Sequence, residues 1–156
     1  MRNDRVTIYV GDSIDLDLPA NSVDAIVCDP PSGIAFMGKT WDTDKGGRDA
    51  WIAWLARTIA PAFAALKPGG HGLFWALPRT SHWAAMALEL AGFEIRDRVT
   101  HLFGTGFPKS YNLDGGLGTA LKPAAEDWWL VRKPLQRRHV EALGVTADLL
   151  HISWLH

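Results

Sequence analysis

The sequence predicts an α/β fold with about five strands, and three observations carry that expectation. An apolar run of strand length, Ala25 to Cys28, stops at the string Asp29-Pro30-Pro31-Ser32. Segments of strand character alternate with segments of helical spacing, the pattern that builds open α/β sheets. With 156 residues and 47% apolar content, the chain can bury one ordinary core.

Val6 to Val10 alternates and carries β-branched residues, so it reads as the first strand, ending at Gly11-Asp12. Asp12 or Ser13 is placed to cap the short turn that follows. Leu16 to Ser22 reads as a loop, with Pro19 and Asn21 as turn residues. The run to Cys28 is a buried strand, and the two prolines after it forbid both helix and further pairing. The chain therefore leaves the sheet in a stiff, extended turn. Asp29 stands at the carboxyl end of a strand, where open α/β sheets place their ligands. Cys28 is the only cysteine, which excludes a disulfide within the chain, and it reads as a small apolar core residue.

Gly33 to Gly47 holds four glycines and no sustained periodicity, so it reads as a long loop over a ligand. Phe36, Met37, Lys39 and Trp41 line a pocket there, with Lys39 near a phosphate, or else anchor the loop to the core. Arg48 to Leu66 reads as a helix with Trp51, Leu55 and Ile59 on one face, kinked or restarted at Pro61. Trp51 and Trp54 are expected in the core or at a subunit contact. Lys67-Pro68-Gly69-Gly70 stops the helix, and His71 to Leu77 is the next buried strand. Arg79, Thr80 and Ser81 follow at the same sheet edge as Asp29, as ligand contacts or as a helix cap. A helix from Ser81 to Ala91 ends at Gly92, and Phe93 to Phe103 is a strand in which His101 reads as structural. Gly104 and Gly106 mimic a glycine-rich ligand loop, but Pro108 follows at once and no apolar helix begins there. Asp127 to Val131 is the last strand.

A carboxylate beside a proline carbonyl makes a pair of acceptors with no donor between them, because proline has no N–H. That pair suits an exocyclic amino group, whose lone pair is otherwise spread into its ring. Gripping both hydrogens pulls the nitrogen toward a tetrahedral shape and localises the lone pair, which is stabilisation of a transition state by preorganised polar groups.

The strings Gly11-Asp12-Ser13, Asn21-Ser22-Val23-Asp24 and Asp29-Pro30-Pro31 resemble the start of the amino-group (N6-adenine or N4-cytosine) DNA methyltransferases in their DPPY-first order. The resemblance continues through Phe36 to Asp42, Leu66 to Gly70, Gly92 to Val99, Gly104 to Ser110 and Thr119 to Pro134. It is greatest to phage and actinobacterial members and covers about residues 6 to 135.

The resemblance implies a Rossmann-like methyltransferase fold, mostly parallel with a terminal antiparallel pair, S-adenosylmethionine as cofactor and DNA as partner. It implies methylation of adenine N6 ahead of cytosine N4, with Asp29, Pro30, Pro31 and Ser32 at the catalytic turn. Asp12, Asp29, Phe36 and Lys39 fall at cofactor positions, and Trp41, Arg79, Lys109, Ser110 and Tyr111 at substrate positions. Two departures stand out. Ser32 replaces the aromatic that stacks on the base, so either Phe36 or Trp41 stands in or target binding is weakened, and no F-x-G-x-G segment follows Pro134. The reading is therefore a catalytic half-domain, residues 1–135, with a tail, 136–156, that packs on the body or on a second chain. A second copy or a partner chain then supplies the missing cofactor loop. The rival readings are an accessory subunit that completes its cofactor site with another chain or a remnant that binds nucleic acid without methylating it, a methylase of RNA or of a protein amide, and a nucleotide-binding fold with no transfer chemistry.

A net charge of −1 says nothing for nucleic acid. Arg132, Lys133, Arg137 and Arg138 gather as a phosphate-facing edge or as a solvated tail. Eight tryptophans place some at a groove or subunit contact. No apolar run approaches the length of a membrane span, so a cytoplasmic protein is expected, and the histidines lack metal-ligand spacing.

Overall fold

The computed structural model describes residues 2–3, 6–105, 112–113, 117–118 and 123–135. In chain order the elements are β1 (Arg2–Asn3), β2 (Val6–Thr7), β3 (Val23–Cys28), α1 (Arg48–Ala65), β4 (Leu66–Ala76), α2 (Ser81–Leu90), β5 (Glu94–Leu102), β6 (Asn112–Leu113), β7 (Leu117–Gly118) and β8 (Ala125–Arg132). Among the described residues the main sheet has four strands in the order β3-β4-β8-β5. β3 and β4 are parallel, and β8 runs antiparallel to both β4 and β5. The carboxyl ends of β3, β4 and β5 and the first residues of β8 therefore meet at one edge.

The strand expected at Val6 to Val10 does not join this sheet. Only Val6–Thr7 pairs, with β1, and Ile8, Tyr9 and Val10 are 62%, 65% and 98% exposed. Alternation marks a capacity to pair, but Ile8 to Val10 find no partner strand among the described residues and gain no burial.

α1 and α2 pack on each other and on one face of the sheet. The four-residue stripe Trp51, Leu55 and Ile59 meets Leu66, Phe74, Leu88, Phe93 and Val131, all under 9% exposed. Burying side chains of this size stabilises by roughly 1.5 to 3 kcal/mol each. α1 continues through Pro61 as a single helix, although proline withholds the N–H that the Arg57 carbonyl takes in a regular helix. Its carboxyl end is closed by Lys133, whose Nζ donates to the carbonyls of Phe63 (2.9 Å), Ala64 (3.1 Å) and Leu66 (2.8 Å) and to Asn21 Oδ1 (2.9 Å). A cation there offsets the negative end of the helix dipole, and burial pulls its pKa below the usual lysine value. Arg132 donates to Glu94 at 2.8 Å. These two residues of the expected phosphate-facing edge thus serve the fold, while Arg137 and Arg138 lie outside the described residues.

Strand alternation divides the sheet into two faces. Phe74, Ala76 and Val131 join the helix-covered core, whereas Trp75 and Trp128, paired in register, do not. Val27, opposite Leu73, is 75% exposed, and Val99, opposite Trp128, is 49% exposed. No described helix covers that second face.

Candidate active site

A cavity of about 530 Å³ opens at the edge where the strands end. Asp29, Pro30, Pro31 and Ser32 form one side, leaving β3, and Ile34, Phe36, Trp41 and Asp42 come from the loop after them. Trp75 and Leu77 line it from β4 and beyond, Phe103 from the end of β5, and Ala125, Glu126 and Trp128 from β8. Among the described residues that line it there is no lysine or arginine.

The Asp29 carboxylate faces this space and, among the described residues, accepts no hydrogen bond and pairs with no cation. Desolvation, and then the charge of Glu126, hold its pKa above the usual carboxylate value. Burial, and then Asp29, push the Cys28 thiol up to about 11, so Cys28 is neutral packing behind the site. Pro30 is buried, and its fixed ring presents a carbonyl with no neighbouring N–H of its own.

The turn is held by Asp42, which is 1% exposed. Its carboxylate accepts from the amide and hydroxyl of Ser32, from the Gly33 amide (2.9 Å) and from the Phe36 amide (2.8 Å). Burial alone raises the Asp42 pKa, but the Phe36, Gly33 and Ser32 donors outweigh it and the net value falls below the usual one. The far side is fixed by Thr80, whose hydroxyl donates to the Ser32 carbonyl at 2.9 Å, and the Trp129 indole donates to Ser81 at 3.0 Å. Within the loop Ala35 and Met37 sit at φ +52°, an uncommon conformation for residues with a side chain. Gly33, at φ +73°, lies so close to Trp51 that a Cβ there meets Nε1 at 2.7 Å. That buried indole N–H has no acceptor among the described residues.

Of the residues expected at the site, Asp29, Pro30, Pro31, Ser32, Phe36 and Trp41 line the cavity. Ser32 spends its amide and hydroxyl on Asp42, and aromatic faces come instead from Phe36, Trp41, Trp75 and Trp128. Asp12 caps the turn Ser13–Asp15, accepting from the Ile14 amide at 3.1 Å, and does not line the cavity. Lys39 and Arg79 are exposed and also lie outside the lining, while Lys109, Ser110 and Tyr111 lie outside the described residues. His101, expected in an apolar setting, is exposed, with Nδ1 3.9 Å from Glu126 Oε2 and its ring edge-on to Phe103.

Sequence reading placed Thr80 at this edge but missed Asp42, Trp75, Phe103, Glu126 and Trp128. The alternation of Glu126-Asp127-Trp128-Trp129 separates a cavity face from a core face, but only once β8 is known to begin at the edge where β3 ends.

No family model matches the chain. The type II methyltransferase M.BglII of Bacillus subtilis is 34% identical over 70 residues, which are 44% of this chain and 18% of that protein. Among solved structures, TTHA0409 of Thermus thermophilus, assigned provisionally as a DNA modification methylase and complexed with S-adenosyl-L-methionine, superposes with a TM-score of 0.54 at 19% identity. The match covers 91% of this chain and 61% of TTHA0409. PvuII DNA methyltransferase, cytosine-N4-specific, gives a TM-score of 0.60 at 15% identity over 90% of this chain and 54% of its own. The chain spans less than two thirds of each of these relatives. Its mixed sheet, with helices on one face and a cavity at the strand ends, is a Rossmann-like methyltransferase fold shared with solved DNA methyltransferases.

Proposed function

We propose that the chain is the base-binding half of an S-adenosylmethionine-dependent methyltransferase that acts on an exocyclic amino group in DNA. One observation carries this reading: Asp29, whose carboxylate has no partner among the described residues, lines an aromatic-walled cavity immediately before Pro30. Its carboxylate and the Pro30 carbonyl accept the two amino hydrogens, and the aromatic rings hold the base by stacking, at roughly 1 to 3 kcal/mol per base. Preorganisation is supplied by Asp42 and Thr80, which tie the turn on both sides. Adenine N6 is the favoured target over cytosine N4, on the aspartate before the prolines.

The cavity's aromatic walls and the carboxylates of Asp29 and Glu126 suit a ligand that joins positive charge to a planar ring, as S-adenosylmethionine does. When bound, that donor supplies an electrophilic methyl group. Asp29 and Phe36, with Asp12 and Lys39 outside the cavity, are the residues proposed to hold it. Trp41, Arg79, Lys109, Ser110 and Tyr111 are proposed to face DNA. Residues 1–135 form the methyltransferase unit in this reading, and residues 136–156 a tail that packs on it or on a second chain.

Calorimetry with S-adenosylmethionine and tritium transfer to DNA test the reading. The chain is expected to bind the donor and transfer label, and Asp29→Ala to bind the donor more weakly while transfer at saturating donor falls roughly 100-fold or more. A second reading, an accessory subunit that completes its cofactor site with another chain, is favoured by the outer edge of β3 and the second sheet face, which no described residue pairs with or covers. Donor binding or transfer that appears only when a second polypeptide is added supports that reading. No described helix is long and apolar enough to cross a membrane, which fits the proposed cytoplasmic setting.

A further inference from the structure

Besides Asp42, which is bonded to the backbone of the turn, a further acid shares the cavity with Asp29. Glu126 enters from β8, which runs against its neighbours and so begins where β3 and β4 end. Alternation puts Glu126 on the same face as Trp128, away from the helix-covered core. Across the β5–β8 ladder it is paired in register with His101, and the two side chains are 3.9 Å apart. We propose that Glu126 is a positioning residue that acts through Asp29: its charge across the cavity makes the Asp29 carboxylate a stronger acceptor for the substrate's amino hydrogens.

The proposal rests on the methyltransferase reading. As the amine's lone pair forms the new N–C bond and the S–C pair returns to sulfur, the nitrogen carries one proton too many. That proton passes to Asp29, and the N–H electron pair stays on nitrogen. A carboxylate next to a like charge holds a proton more firmly and accepts a hydrogen bond more strongly. Other groups facing Asp29 do not supply this effect. The Asp42 carboxylate is committed to backbone donors, Cys28 is a neutral thiol, and no lysine or arginine among the described residues lines the cavity. His101 reaches the pair only through Glu126, and once protonated it offsets part of that charge.

The test follows the Asp29 carboxyl carbon by NMR as pH is varied in the intact chain, with Asp29→Asn used to assign the resonance. Glu126→Gln is expected to lower the Asp29 midpoint by roughly half a pH unit, the size of one like charge across a wet cavity. His101→Gln is expected to move it the opposite way. An unmoved midpoint in folded Glu126→Gln overturns the proposal, as does a midpoint that His101→Gln also lowers. The titration needs no turnover, so a shifted midpoint in a chain that never transfers label overturns the methyltransferase reading and leaves the coupling standing. Where transfer is measured, the acid limb of kcat/KM moves with the midpoint in Glu126→Gln, which a merely structural role does not produce.

Discussion

The Asp42 carboxylate accepts from Ser32, Gly33 and Phe36, so Asp42→Ala strands several backbone donors in a region with little access to water. A loss of about 3 kcal/mol in urea unfolding is expected, with Asp42→Asn milder because one oxygen remains to accept. Because its folded pKa lies below the usual 3.8, the Asp42 contribution is present at neutral pH and is lost as pH falls through that value. Asp29 has the opposite sign. Its pKa is raised, so the folded state favours the protonated form, and stability is lost as pH rises through the folded value. Asp29→Asn, which mimics the neutral acid, should therefore raise the melting temperature at pH 7 while it weakens methyl transfer. A fall in melting temperature would mean that the carboxylate has a stabilising partner.

At the scale of elements, the loop from Gly33 to Gly47 is shaped by what lies beneath it. Gly33→Ala forces a side chain into a left-handed conformation and against Trp51, so a loss of roughly 1 to 3 kcal/mol is expected, together with weaker ligand binding from a displaced turn. Unfolding by near-ultraviolet circular dichroism, where Trp51 contributes, checks it. The two helices and the strands β3, β4, β5 and β8 were legible from four-residue apolar stripes, short apolar runs and glycine stops. The strand expected at Val6 to Val10 was not, because alternation reports a capacity to pair and says nothing about whether a partner exists. The motif string was equally partial at the site. It marked Asp29 to Ser32, Phe36 and Trp41, whereas Glu126 and Trp128 reach the cavity only through an antiparallel placement of β8 that local sequence does not encode. Lys133 looked like part of a basic cluster because its four oxygen acceptors lie 67 to 112 residues away in sequence.

For the molecule as a whole, the described helices lie on a single face of the sheet, and among the described residues the other face keeps apolar surface that folds of this class normally cover. Trp75 and Trp128 sit on that face, with Val27 and Val99 exposed beside them. An anionic hydrophobic dye is expected to fluoresce with the native chain, and Val27→Lys to cut the signal roughly twofold without lowering helix content. No fluorescence with the folded chain would mean that this face is covered in solution. Although β8 is the last of the four strands in sequence, it lies in the middle of the sheet, joining β4 to β5. A nascent chain that has not yet released residues 125–132 from the ribosome therefore holds two strands with no bridge between them, and the native sheet has to wait for its last strand to emerge.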